Sequence, residues 1–235
     1  VPGIAIHIGQ TWVFGSAPNV VGHEQKIFVF GVLGLSVLIY VISGVQYWFS
    51  DYMSSILRVR DQKTRLFYFT LVCFTSPTLG VLLGSITKNK VCENDMTKSL
   101  IFCFILSILA FVFAVPSVLV SNVNAYISLM WLVLFFGGAL VPVITNIIVA
   151  AVPPGLDASG NSITNLVSNL GGYLPAPYVY GILSDINHDR GIIGMRFTMW
   201  YSFVGVVFYG CAMVASIRKD KEELTHIVEA SYNLK

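Results

Sequence analysis

The side chains of this sequence that could do chemistry are few, and the ionisable ones avoid the middles of its long apolar stretches. His7, His23, His188 and His226 all fall outside those stretches, and no Asp, Glu, Lys or Arg sits at the centre of one. Embedded ionisable groups are the usual carriers of proton relays and membrane metal sites, so that chemistry is not expected here. No HExxH pair, GxSxG elbow or Gly-rich phosphate loop occurs. An intramembrane serine protease needs an embedded base, a water channel needs paired NPA-type loops, and mitochondrial carriers repeat a PxDxxK motif; none is present. Cys73, Cys103 and Cys211 lie within apolar runs and Cys92 in a polar one, without CxxC or metal-ligand spacing, so they read as small hydrophobes. The expectation is no catalytic residue, no metal, no cofactor and no enzymatic activity.

What remains is neutral hydrogen bonding. Gln46, Asn146, Ser162, Asn165, Asn169 and Tyr173 stand among apolar neighbours. Positions 162, 165, 169 and 172 recur with helical spacing, so Ser, Asn, Asn and Gly share one predicted face. That face either lines a wet cavity and bonds the polar part of a ligand, or holds helices together. Asn146 carries the same two readings. Gln46 lies beside Tyr47 and Trp48, which suit either an interfacial belt or a binding role.

These residues are positioned by helices in a membrane. Of the 235 residues, 55% are hydrophobic and 11% charged. A soluble domain carries roughly 25% charge, so this surface is too apolar for water. Mean hydropathy is +0.75. A net charge of +2 without a basic stripe argues against nucleic acid as a partner. A crossing takes about 20 apolar residues. Six stretches qualify: 27–49, 66–86, 100–120, 125–152, 162–183 and 197–217. Continuous apolar runs without alternation exclude a barrel, and a lipid-embedded backbone must bond to itself, so the fold class is all-α. Residues 1–26 read as a non-spanning segment and 218–235 as a charged cytoplasmic tail. With that orientation eight Lys and Arg face the cytoplasm and six the other side.

Span polarity differs. Spans 100–120 and 197–217 are apolar nearly all round and read as lipid-facing, whereas 162–183 is the most polar. Small residues recur: Gly80 and Gly84 form GxxxG, and Gly137-Gly138 and Gly171-Gly172 open close approaches. Pro77-Thr-Leu-Gly80 in the second span is echoed three spans later by Pro177-Tyr-Val-Tyr-Gly181, and a three-plus-three repeat is a transporter signature.

The stretch from Val152-Pro-Pro-Gly through Asn165, Asn169 and Gly171-Gly172-Tyr173 ends in Ala176-Pro177-Tyr178-Val-Tyr-Gly181-Ile-Leu-Ser184-Asp185. It resembles the tenth-to-eleventh helix region of Spinster-like transporters of the major facilitator superfamily. Gly44-Val-Gln-Tyr-Trp-Phe resembles the end of their seventh helix, and Phe197 to about His226 their twelfth helix and C-terminus. Gly80 to Lys90 is similar to the superfamily's cytoplasmic motif, with Ser85 near the place of its acidic residue. An eleventh-helix Asp of relatives is replaced here by Gly171-Gly172-Tyr173. The resemblance implies helices seven to twelve of a twelve-helix bundle, working by alternating access. Gly80, Gly84, Pro177, Gly181 and Asp185 would then be conformational or motif positions.

The favoured expectation is a carboxy-terminal half that moves an amphipathic, lipid-like solute of lysophospholipid or sphingoid type. Gln46, Asn146, Ser162, Asn165, Asn169 and Tyr173 would bind it. Partners would be membrane lipids, the solute, and an absent amino-terminal six-helix half or a second copy. The chain begins without Met and is expected to be a fragment. A carrier of a small polar metabolite and a non-transporting scaffold remain alternatives, in the plasma membrane or an endo-lysosomal one.

Overall fold

Three short polar side chains begin helices by accepting bonds from free backbone N–H groups. Asp61 accepts from Lys63 and Thr64, Asp95 from Lys98, and Asn122 from Asn124 and Ala125. The Asp61 carboxyl also accepts from the Thr64 hydroxyl, and these bonds hold it below the usual carboxylate range. A carboxylate stabilised in this way contributes above its unfolded pKa and stops contributing as pH falls through the lowered folded value. The cap is therefore complete at neutral pH.

A computed structural model describes residues 21–92, 95–153, 155–186 and 191–233. Residues 1–20, most of the expected non-spanning segment, lie outside the described residues. The chain is all-α. Helix α1 (Val21–Ser55) is followed by α2 (Gln62–Thr70), a π-turn (Leu71–Thr75) and α3 (Ser76–Val91). Then come α4 (Met96–Ser117) and α5 (Val123–Ala150). Next are α6 (Asp157–Ser168), a second π-turn (Asn169–Tyr173), α7 (Pro175–Ile186) and α8 (Ile192–Asn233). Five of these helical runs are long and apolar enough to cross a membrane: Gly22–Ser55, Gln62–Val91, Met96–Ser117, Val123–Ala150 and Ile192–Glu222. This is the make-up of a multi-pass integral membrane protein.

The stretch expected as a span over 162–183 is found as helix, π-turn and helix. Helix α8 continues through the charged segment from 218 to Asn233. Polar contacts hold that continuation at one end of the bundle. Lys219 pairs with Glu24 at 2.7 Å, His23 meets Glu222 at 3.2 Å, and Thr97 bonds Ser216 and Asp220 at 2.6 and 2.7 Å.

Helices α1 and α5 pack on each other in the middle. Helix α1 also carries α8 and the broken helix α6–α7, while α5 carries α4 and α3; α4 and α8 close against each other. Exchanging α1 with α5, α2–α3 with α6–α7 and α4 with α8 maps these pairings onto themselves. Both broken helices have a proline two residues beyond the π-turn, Pro77 after Thr75 and Pro175 after Tyr173. The core has two lobes. One gathers Ile27, Leu100, Cys103, Ile144 and Ala212, and the other Val45, Phe49, Tyr126, Met130 and Met195. Helix α1 runs through both.

The close approaches expected at Gly80, Gly84 and Gly138 are the crossing of α3 over α5. A Cβ on Gly138 would lie 2.7 Å from Pro77 Cα, and one on Gly84 2.7 Å from Ala139 Cα. One on Gly80 would run into the Phe135 carbonyl oxygen. Trp131 of α5 fastens the first π-turn here: its Nε1 donates to Thr75 Oγ1 at 3.0 Å, and Ser76 Oγ donates to its carbonyl.

Gly84→Val is expected to cost about 1–3 kcal/mol, the usual price of overpacking. Gly22→Ala, with nothing within 4 Å of the new carbon, should not. Thermal melts of both variants in the same detergent check this; equal midpoints would remove the crossing from its central place.

Candidate functional site

A stripe of small residues seats the second broken helix. Gly160, Thr164, Ser168, Gly172, Ala176 and Tyr180 are buried at intervals of four. An α-helix repeats every 3.6 residues, so such a stripe drifts around a straight helix. The π-turn, closed by the Leu174 N–H donating to the Asn169 carbonyl at 2.9 Å, absorbs part of the drift and keeps the stripe on the buried side. Contact is closest at Gly172, where an added Cβ would lie 2.5 Å from the Ser36 carbonyl oxygen.

This corrects the face expected from helical spacing. Ser162, Asn165 and Asn169 point outward, but Gly172 is turned onto α1. The 3.6-residue period does not carry through the π-turn that begins at Asn169. Tyr173 takes the outward place instead, 48% exposed.

All six expected binding residues are exposed: Gln46 on α1, Asn146 on α5, Ser162 and Asn165 on α6, and Asn169 and Tyr173 in the π-turn. Ser162 is satisfied locally, its hydroxyl donating to the Ala158 carbonyl at 2.8 Å. Asn165 donates weakly to Asn161 at 3.5 Å. Tyr173 meets Tyr47, next to Gln46, with hydroxyls 3.3 Å apart and rings nearly edge-on at 6.2 Å between centroids. Gln46 and Tyr173 are thus brought to one side, whereas Asn146 stands apart on α5.

Two clefts flank this face. One, of about 400 Å³, lies between α5 and α6 and is lined by Thr145, Val149, Asp157, Asn161 and Thr164. Sequence reasoning missed Asn161, although it is one helical turn before Asn165. The other, of about 480 Å³, lies between the far ends of α1 and α7. Asp51, Ser55, Ser184 and Asp185 line it beside a stack of Trp48 on Tyr180, 4.3 Å between centroids at 15°. Two of the motif positions, Gly181 and Asp185, belong here, and Pro177 sits in the first turn of α7. Gly80 and Gly84 belong to the α3–α5 crossing. Asp51 went unnoticed because it follows the expected end of its span.

The outward surfaces differ in kind. Between residues 100 and 117, α4 exposes only Ile101, Ile105, Ile108 and Val112. Between 197 and 217, α8 exposes only Phe197, Trp200, Phe203, Val207 and Val214. The broken helix exposes Asn161, Ser162, Asn165 and Asn169 beside Leu166, Leu170, Leu174 and Tyr178. Such a surface can bond a neutral or charged polar group and lay an apolar one against leucine and tyrosine. Among the described residues, no three His, Cys, Asp or Glu side chains cluster to hold a metal.

In a background without the four native cysteines, single cysteines at 165 and 169 are expected to react with a membrane-impermeant maleimide. Cysteines at 164 and 168 should stay protected; equal protection at all four would mean a dry interface. Gly171→Ala should be tolerated, since the new carbon meets Ser36 Cβ at an ordinary 3.6 Å, whereas Gly172→Ala should lower the melting midpoint.

No protein-family model matches the chain and no curated protein matches it, so the resemblance to Spinster-like transporters rests on the residues quoted for it.

Proposed function

We propose that this chain forms one half of a transporter of the major facilitator type, resembling the Spinster-like branch, and moves an amphipathic organic solute by alternating access. The observation that carries the reading is the exposed amide and hydroxyl face of α6–α7 on a molecule whose α4 and α8 expose only apolar side chains over 100–117 and 197–217. An amide without a partner in hydrocarbon costs several kcal/mol, so this face is turned to water, solute or another polypeptide rather than to acyl chains.

On this reading Asp157–Ile186 is the fifth of six crossings along the chain, its break tolerated because it lines a cavity. The pairing symmetry between the first and second sets of three crossings supports a three-plus-three repeat. The broken helices α2–α3 and α6–α7 flank the central pair and share no extended packing with each other. The other half, or a second copy, covers the gap between them and completes the cavity. Gln46, Asn165, Asn169 and Tyr173 hydrogen-bond the polar head of the solute, while Leu166, Leu170 and Tyr178 accept its apolar part. The charged continuation of α8 lies on the cytoplasmic side.

The test is uptake into proteoliposomes by the full-length protein, with lysophospholipid and sphingoid base as probes. The Asn165→Leu/Asn169→Leu variant is expected to slow uptake roughly tenfold or more, as two lost hydrogen bonds of about 1 kcal/mol each imply, with an unchanged melting midpoint. Uptake of a sugar or small carboxylate instead would favour the small-metabolite reading. No uptake of any probe by a folded protein would favour the scaffold.

A further inference from the structure

On the opposite flank of the bundle, away from the polar face, a cleft of about 430 Å³ opens between α1, α4 and α8. Its floor is apolar, with Phe30, Phe104 and Val207 lining it. Gly210 lets the Phe104 ring lie close against α8, since an added Cβ there would stand 3.2 Å from it. Its rim is basic. Lys26 and Arg218 line it and are exposed. Nearby, Lys219 pairs with Glu24, Glu222 meets His23, and Asp220 accepts from the Thr97 hydroxyl. Lys26 and Arg218 have no ion-pair partner among the described residues, which leaves two positive charges at one end of a groove that continues along the apolar stripe of α8.

An anionic head above an apolar tail matches this arrangement, and a membrane supplies such a molecule at this depth. We infer that the cleft is a binding site for an anionic phospholipid, with its phosphate held between Lys26 and Arg218 and an acyl chain lying over Phe30, Phe104 and Val207. Basic pockets between membrane helices near a headgroup layer recognise lipids in this way. The volume falls in the roughly 300–1,000 Å³ range of ligand clefts. The site is separate from the proposed solute face and does not depend on transport.

The test is native mass spectrometry of the full-length protein released from nanodiscs of phosphatidylcholine with a minor share of phosphatidylglycerol. The wild type is expected to retain phosphatidylglycerol preferentially. Lys26→Gln/Arg218→Gln should reduce that retention about fivefold for each cation removed. The charge-matched control Lys90→Gln/Lys221→Gln should keep it. Val207→Trp keeps both cations and fills the groove from an exposed position, and it should reduce retention as well. Equal retention of the two lipids would overturn the inference. So would an unchanged level in Val207→Trp, or a loss in the control as large as in the Lys26/Arg218 variant. A dimer that disperses when the two cations are removed would assign the cleft to a second copy instead.

Discussion

Two broken helices of this protein meet their neighbours backbone to backbone, and the rest of the arrangement depends on those contacts. At Gly172 the second broken helix approaches the Ser36 carbonyl of α1, and at Gly80, Gly84 and Gly138 the first crosses α5. Lipid tails are as apolar as leucine, so burying leucines does little to hold membrane helices together. Close backbone approach gains dispersion contact that a side chain in between would prevent. Both broken helices are anchored in this way on a central helix, and each carries a π-turn at or next to its contact.

The anchoring fixes what faces outward. Because one side of α6–α7 is a buried stripe of Gly, Thr, Ser, Gly and Ala, turned onto Val152 at Gly160 and onto α1 at Gly172, its other side carries Asn161, Ser162, Asn165, Asn169 and Tyr173. Helices α4 and α8 turn isoleucine, valine and phenylalanine outward over 100–117 and 197–217. Function on the proposed reading is thus a consequence of packing: the side of α6–α7 opposite its buried stripe is the one free to present polar groups.

Much of this was legible in the residues. Hydropathy located the middle of each long helix, with ends about two to six positions off except at the C-terminal end of α8, and the polarity ranking separated the 162–183 stretch from the apolar 100–120 and 197–217. GxxxG marked a close approach in the second span, and the structure supplies its partner, α5. The face of α6–α7 was only partly legible, because a π-turn shifts the helical period and leaves no residue-level sign beyond the nearby prolines; Gly172 was therefore placed with Asn169 although it packs on α1. The continuation of α8 was hidden for a different reason. Its helix is held by contacts to Glu24, His23 and Thr97, which are distant in sequence. The clefts around Asp51 and Asn161 arise where helix ends converge, and no local pattern announces such convergence.

The central claim is that one polar face serves both sides of a membrane in turn. It is tested most directly by the sidedness of a single cysteine at position 169 in oriented vesicles of the full-length protein. Alternating access predicts modification by an impermeant reagent added to either side alone, with saturating solute changing the two rates in opposite directions. Modification from one side only, at a rate indifferent to every solute, would contradict it.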